Sequence, residues 1–211
     1  MVRISSRFAQ AAAVLPLVGA GLLSSGTTPN AYAQATPRIT GQAENSALVS
    51  VPGSVHPWAR AQFDRGPAPA NLNGRMLMVL KRSPEQESAL QALLASQQDP
   101  KSPNYHKWLT PEEFGKRFGV ADSDVQTITS YLSAKGMNVG RVYGGHMAIE
   151  VGATPAQIKS AFQTEIHVYS VAGKTFYANN SNPKIPSALS GVVSGPLRMF
   201  SVAAGYRFEM L

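Results

Sequence analysis

The chain predicts an α+β fold, a ferredoxin-like split-βαβ sandwich whose antiparallel sheet carries helices on one face. Three observations point there. The apolar run Met76 to Leu80 is followed by three helical stretches and then by paired strand-like runs, in the order β, helices, β, β, α, β. Two short turns, Gly144-Gly145 and Ala172-Gly173, each separate two such runs. Three helix starts share one signature: Ser83-Pro84-Glu85-Gln86, Thr110-Pro111-Glu112-Glu113 and Thr154-Pro155-Ala156-Gln157. In each a hydroxyl residue caps, Pro stands at N1 where its missing N–H costs nothing, and Glu or Gln at N3 closes a capping box.

The elements follow in chain order. Residues 34–74 are rich in Pro, Gly, Ala and Asn and read as an extended lead-in. Arg75 to Lys81 reads as a strand apolar on both faces, as a central strand requires. The helix opened by Ser83 carries Ala89, Leu90, Leu93 and Leu94, with Leu90 and Leu94 assigned to the core. A short helix runs from Pro111 to about Phe118, with Leu109 and Phe114 at the N′ and N4 positions of a hydrophobic staple. Asp122 to Lys135 is next, with Val125, Ile128 and Leu132 on one face and Gly136 as its C′ stop.

Asn138 to Tyr143 and His146 to Gly152 then pair across Gly144-Gly145, with Met147, Ile149 and Val151 facing inward. The Thr154 helix buries Ile158, Ala161 and Phe162. Ile166 to Val171 pairs with Lys174 to Ala178, and Val192 to Phe200 is a candidate last strand.

The first 33 residues have the form of a secretory signal. Arg3 and Arg7 precede an apolar stretch from Ala11 to Leu23, and Ala31-Tyr32-Ala33 places cleavage between Ala33 and Gln34. The stretch falls short of the roughly 20 residues that span a bilayer. The expected destination is therefore outside the cell or in a periplasm, with no membrane contact after signal removal. Cysteine is absent, so no disulfides are needed. Beyond residue 33 stand seventeen Lys and Arg against twelve Asp and Glu, a net +5. For charges this scattered a solvated basic surface is the plainer reading, and complementarity to an acidic partner is the functional one. No cluster of cations and aromatics suggests nucleic acid.

The most specified segment is Asp99 to Gly119. Asp99-Pro100 and Ser102-Pro103 are turn signals, and Tyr105, Trp108 and Leu109 put large apolar area into a loop. Packing against the domain is the expected role of Tyr105 and Trp108, with a sugar-binding platform as the alternative. Helix capping accounts for Glu112 and Glu113 better than acid–base catalysis does. His56, His106, His146 and His167 lack zinc-ligand spacing, and no G-x-S-x-G elbow is present. No catalytic residue, cofactor or metal is expected.

This segment resembles the activation prodomain of the sedolisin/kumamolisin family of serine-carboxyl peptidases. The resemblance rests on Asp99, Pro100, Ser102, Pro103, Tyr105, His106, Trp108, Leu109, Thr110, Glu113, Phe114, Phe118 and Gly119. It continues upstream through Lys81 to Glu87, and downstream through Lys135-Gly136, Gly152-Ala153-Thr154 and Ile185-Pro186, covering roughly Val55 to Phe200. It implies a subtilisin-propeptide-like sandwich over 75–200 and a start of linker or truncated tail over 201–211.

It also implies a prodomain that assists folding of a sedolisin-type catalytic domain and blocks its cleft until acid releases it. The cleft-binding tail would carry Arg198, Phe200 and Tyr206. The family's nucleophile motif and Glu/Asp pair find no match; Ser25-Gly26-Thr27-Thr28 has Thr where the nucleophile would be. The expectation is a monomeric, non-enzymatic chain from a truncated or split peptidase precursor. A free-standing exported binding or inhibitor module is the alternative.

Overall fold

The apolar run at Met76 becomes strand β3 (Gly74–Val79) of the computed structural model, which describes residues 35–194. Before it come β1 (Leu48–Ser50) and β2 (Asp64–Pro67). After it come α1 (Pro84–Gln98), α2 (Pro111–Phe118), α3 (Asp122–Ala134), β4 (Asn138–Val142) and β5 (Ala148–Ala153). The series closes with α4 (Pro155–Phe162), β6 (Ile166–Val171), β7 (Lys174–Asn179) and β8 (Lys184–Pro186). The fold is α+β and all its strand pairs are antiparallel.

All three sequence-predicted capping boxes form. Ser83, Thr110 and Thr154 each accept from the backbone N–H three residues on, and Gln86, Glu113 and Gln157 reach back to the cap N–H. Gly136 ends α3 with φ +76, the left-handed conformation that Gly adopts without a Cβ clash. The β6–β7 hairpin turns on Ala172 and Gly173, both at positive φ, as a two-residue primed turn requires.

The strands distribute over three hydrogen-bonded sheets, ordered β3-β5-β4, β2-β6-β7 and β1-β8. The first holds three strands of the split βαβ in their expected order. Its fourth strand, β6, has both edges taken by β2 and β7 and does not join β3. The end of β3 is instead bridged by Val193, with Ser194 N–H donating to Val79 O at 2.8 Å. The remainder of the candidate strand Val192 to Phe200 lies outside the described residues.

Helices α3 and α4 cover one face of β3-β5-β4. Val125, Ile128, Leu132, Ile158 and Phe162 pack there with Met76, Met78, Ile149 and Val151. A separate small core joins α1 to α2 through Leu90, Leu93 and Phe118, with Leu109 and Phe114 packed against it. Leu94, assigned to the core from the sequence, is 44% exposed. Leu93, one helical step away, fills that place instead.

Strand β3 also departs from expectation. Met76, Met78 and Leu80 are buried, but Leu77 and Val79 are 46% and 41% exposed. It behaves as a one-sided strand because no layer among the described residues covers its other face. The lead-in is part of the domain. Ala43 and Val51 enter the main core, and the buried Asp124 carboxylate accepts the backbone N–H groups of Arg38 and Ile39 at 2.8 and 3.0 Å.

Candidate functional site: the motif loop and the open sheet face

The loop between α1 and α2 is built from its own turn residues and fastened to the end of α1. Asp99 and Ser102 side chains accept the N–H groups of Lys101 and Asn104, at 2.9 and 3.1 Å. Asn104 Nδ2 donates to Ser96 Oγ at 3.2 Å. The buried Gln97 side chain donates to Lys107 O, and the Gln97 backbone carbonyl accepts the His106 N–H at 3.2 Å. His106 thereby holds φ +53, an uncommon conformation for a residue with a Cβ.

That geometry stacks three rings. Tyr105 and His106 lie 3.8 Å apart between centroids at 21°, and His106 and Trp108 lie 6.0 Å apart at 20°. The expected packing of these rings on the domain does not occur. Trp108 is 64% exposed and Tyr105 38%. The work of fixing the loop falls to Gln97, Asn104 and the half-buried Leu109 instead. Sequence reasoning missed Gln97, a polar residue on a helical stretch with no motif of its own.

Thr110, Glu113 and Phe114 take the places expected of them. Glu113 Oε2 accepts from Thr110 N–H at 2.8 Å, and Thr110 Oγ1 accepts from Glu113 N–H at 3.2 Å. The Thr110 N–H, then its hydroxyl, hold the Glu113 carboxyl below its ordinary value. Phe114 packs beside Phe118, centroids 5.6 Å apart, and the Arg82 guanidinium sits 5.4 Å from its ring centre.

Helix α2 rests on the loop that joins β4 to β5. The Gly144-Gly145 segment does not form the two-residue positive-φ turn expected of it; His146 takes the left-handed conformation, φ +50. The glycines answer to close approach. A Cβ on Gly115 would collide with Gly144 O, and one on Gly119 would meet Gly145 O at 2.6 Å.

The second surface is the uncovered face of β3-β5-β4. Register places Arg75 opposite Gly152, Leu77 opposite Glu150 and Val79 opposite Ala148. Arg75 and Glu150 pair at 2.5 Å. The exposed Tyr143 lies just beyond β4, with the Arg141 guanidinium 5.9 Å from its ring centre. The result is a shallow apolar strip between charged residues, backed by the fully buried Ile149 and Val151. Arg198, Phe200, Tyr206, Ala33 and Gln34 lie outside the described residues. No helix among the described residues is long and apolar enough to cross a membrane.

A family model described as "Pro-kumamolisin, activation domain" matches residues 61–197. The chain is similar to xanthomonalisin of Xanthomonas sp. (strain T-22), 29% identical over 190 residues, which cover 89% of this chain and 20% of that protein. It is also similar to sedolisin of Pseudomonas sp. (strain 101), 24% identical over 120 residues, covering 57% of this chain and 20% of that protein. The chain thus spans about a fifth of the length of the curated relatives it matches.

Proposed function

The chain belongs to the pro-kumamolisin activation domain family, and on that premise we propose that it serves as the prodomain of a sedolisin-type serine-carboxyl peptidase. In this reading it is exported by residues 1–33, assists folding of the catalytic domain, covers its cleft and lets go in acid. It has no peptidase activity of its own.

The observation that carries the reading is the open sheet face. Leu77 and Val79 stand side by side in sequence alternation on a strand whose other face is fully packed. An ordered apolar strip on a rigid backing is the form of a docking surface. The charge balance supports the same partner. A net +5 over residues 34–211 favours an acidic surface while its carboxylates are ionised. Protonating those carboxylates, at roughly pH 4 and below, removes the attraction.

The test is the inhibition constant of the chain against an acid-active sedolisin-type peptidase at about pH 6 and about pH 3. Inhibition should be weaker at the lower pH. Leu77→Asp with Val79→Asp should keep the fold, since both side chains are exposed, and should weaken inhibition by about tenfold or more, as loss of a buried anchor does. Unchanged potency of that variant, or tighter inhibition in acid, overturns the reading.

One observation favours a second reading, an exported binding module. The Tyr105–His106–Trp108 rings stack on a loop hydrogen-bonded to Gln97 and are left exposed. Aromatic faces of this kind stack on sugar rings. Glycan binding lost in Trp108→Ala would support it, and absence of binding to a glycan array would remove it.

A further inference from the structure

Asp64, Glu165, His167 and Asn180 meet on the β2-β6-β7 sheet, in a hydrogen-bonded cluster that the surfaces above do not use. The His167 side chain is only 15% exposed. Its Nδ1 lies 2.8 and 3.0 Å from the two Asp64 carboxylate oxygens, so Nδ1 carries a proton and donates it there. Its Nε2 has two partners that suit opposite protonation states. Asn180 Nδ2, at 3.2 Å, donates to a neutral ring. Glu165 Oε2, at 3.5 Å, accepts from a protonated one.

The surrounding charges are Lys159, whose Nζ lies 2.5 Å from Glu165 Oε1, and Arg65, which acts on Asp64. The Tyr169 ring lies 6.4 Å from that of His167. No group of His, Asp or Glu among the described residues is arranged to hold a metal ion.

Strand β2 itself buries little; beyond its pairing with β6, the neighbouring Ala68 packs against the main core. It is an edge strand of four residues, its register breaks between Asp64 and Pro67, and none of the four is buried. Just beyond it, Ala68 N–H donates to Ile166 O at 2.8 Å. Segments with few buried apolar contacts open first.

We propose that the Asp64 and Glu165 carboxylates, closed on His167, form a proton-operated fastener of the lead-in. Ionised carboxylates keep β2 on β6, and their protonation frees residues 61–68 while the α/β sandwich stays folded. The device needs only this chain's own residues and does not rest on the prodomain reading.

The direction of the pH effect follows from the carboxylates. Desolvation pushes the Asp64 carboxyl up, but the Gly66 N–H, the His167 ring and Arg65 outweigh it, and the group lies below its ordinary 3.8. Lys159, then His167, hold Glu165 below its ordinary 4.5. A carboxyl held low in the folded state stabilises it above the ordinary value and loses that effect as pH falls through the folded value. The fastener therefore weakens below about pH 4.

The experiment is deuterium uptake by the full chain at about pH 6 and about pH 2.5, normalised to unfolded-chain rates at each pH and read in residues 61–68 and 147–153. Protection of 61–68 should drop by about tenfold or more in acid while 147–153 stays protected, as expected for local opening. Asp64→Asn and, independently, His167→Gln should show the acid level of exchange in 61–68 already at the higher pH. Equal protection of 61–68 at both pH values overturns the proposal. So does its loss only together with 147–153, or wild-type protection in both variants.

Discussion

Trp108 and Phe162 separate two uses of a large ring at the scale of single residues. Phe162 is fully buried between α4 and the sheet, so Phe162→Ala should cost about 3–5 kcal/mol in urea unfolding. Trp108 is largely exposed, and Trp108→Ala should change stability by no more than about 0.5 kcal/mol in the same measurement. A cost near that of Phe162 would mean that the ring packs after all. Thr110 stands between them. It is exposed, yet its hydroxyl satisfies a first-turn N–H that has no partner within the helix. Thr110→Ala should destabilise by about 0.5–2 kcal/mol.

Among the elements, the three capped helices differ in one respect that bears on pH. Helices α1 and α4 close their boxes with Gln86 and Gln157, which do not titrate, whereas α2 closes with Glu113. The Glu113 carboxyl is held below its ordinary 4.5, so its contribution is present above that value and lost as pH falls beneath it. The α2 cap should therefore weaken in acid while the other two persist. Glu113→Gln should flatten that part of the pH dependence in thermal melts; an unchanged pH profile would show that the box contributes nothing. Contact between α2 and the β4–β5 loop is set by glycine. Gly115→Ala should destabilise by about 1–3 kcal/mol through collision with Gly144 O, although alanine favours a helix.

For the molecule as a whole, the lead-in decides how much of the chain folds as a unit. Strand β1 pairs with β8, Val51 sits in the main core, and Arg38 donates from its side chain to Gly191 O and Lys81 O. Removing residues 34–53 would strip Asp124 of both backbone donors and take Ala43 and Val51, with Ile39 and Val49 packed beside them, out of the main core. That truncation should cost about 2–5 kcal/mol or more, read as a lower urea midpoint. A truncated chain as stable as the parent would show that the lead-in is a mere extension.

Local chemistry was legible in the amino acids. Ser83, Thr110 and Thr154 fix their helix starts through neighbours three residues away, and Gly136 and Ala172-Gly173 fix a helix end and a turn, because each interaction lies within a few residues of chain. The core phase of α3 and α4 was equally legible, since period 3.6 puts Val125, Ile128 and Leu132, and Ile158 and Phe162, on single faces. Partners far apart in sequence were not legible. Nothing near Asp124 announces that it will bind Arg38 and Ile39, or near Asp64 that it will grip His167. The edges of β6 went to β2 and β7 by a competition among strands that no local pattern records. The exposure of Leu77, Val79 and Trp108 was likewise decided only in three dimensions. An apolar residue signals that it can be buried, but whether a layer arrives to bury it depends on the path of the rest of the chain.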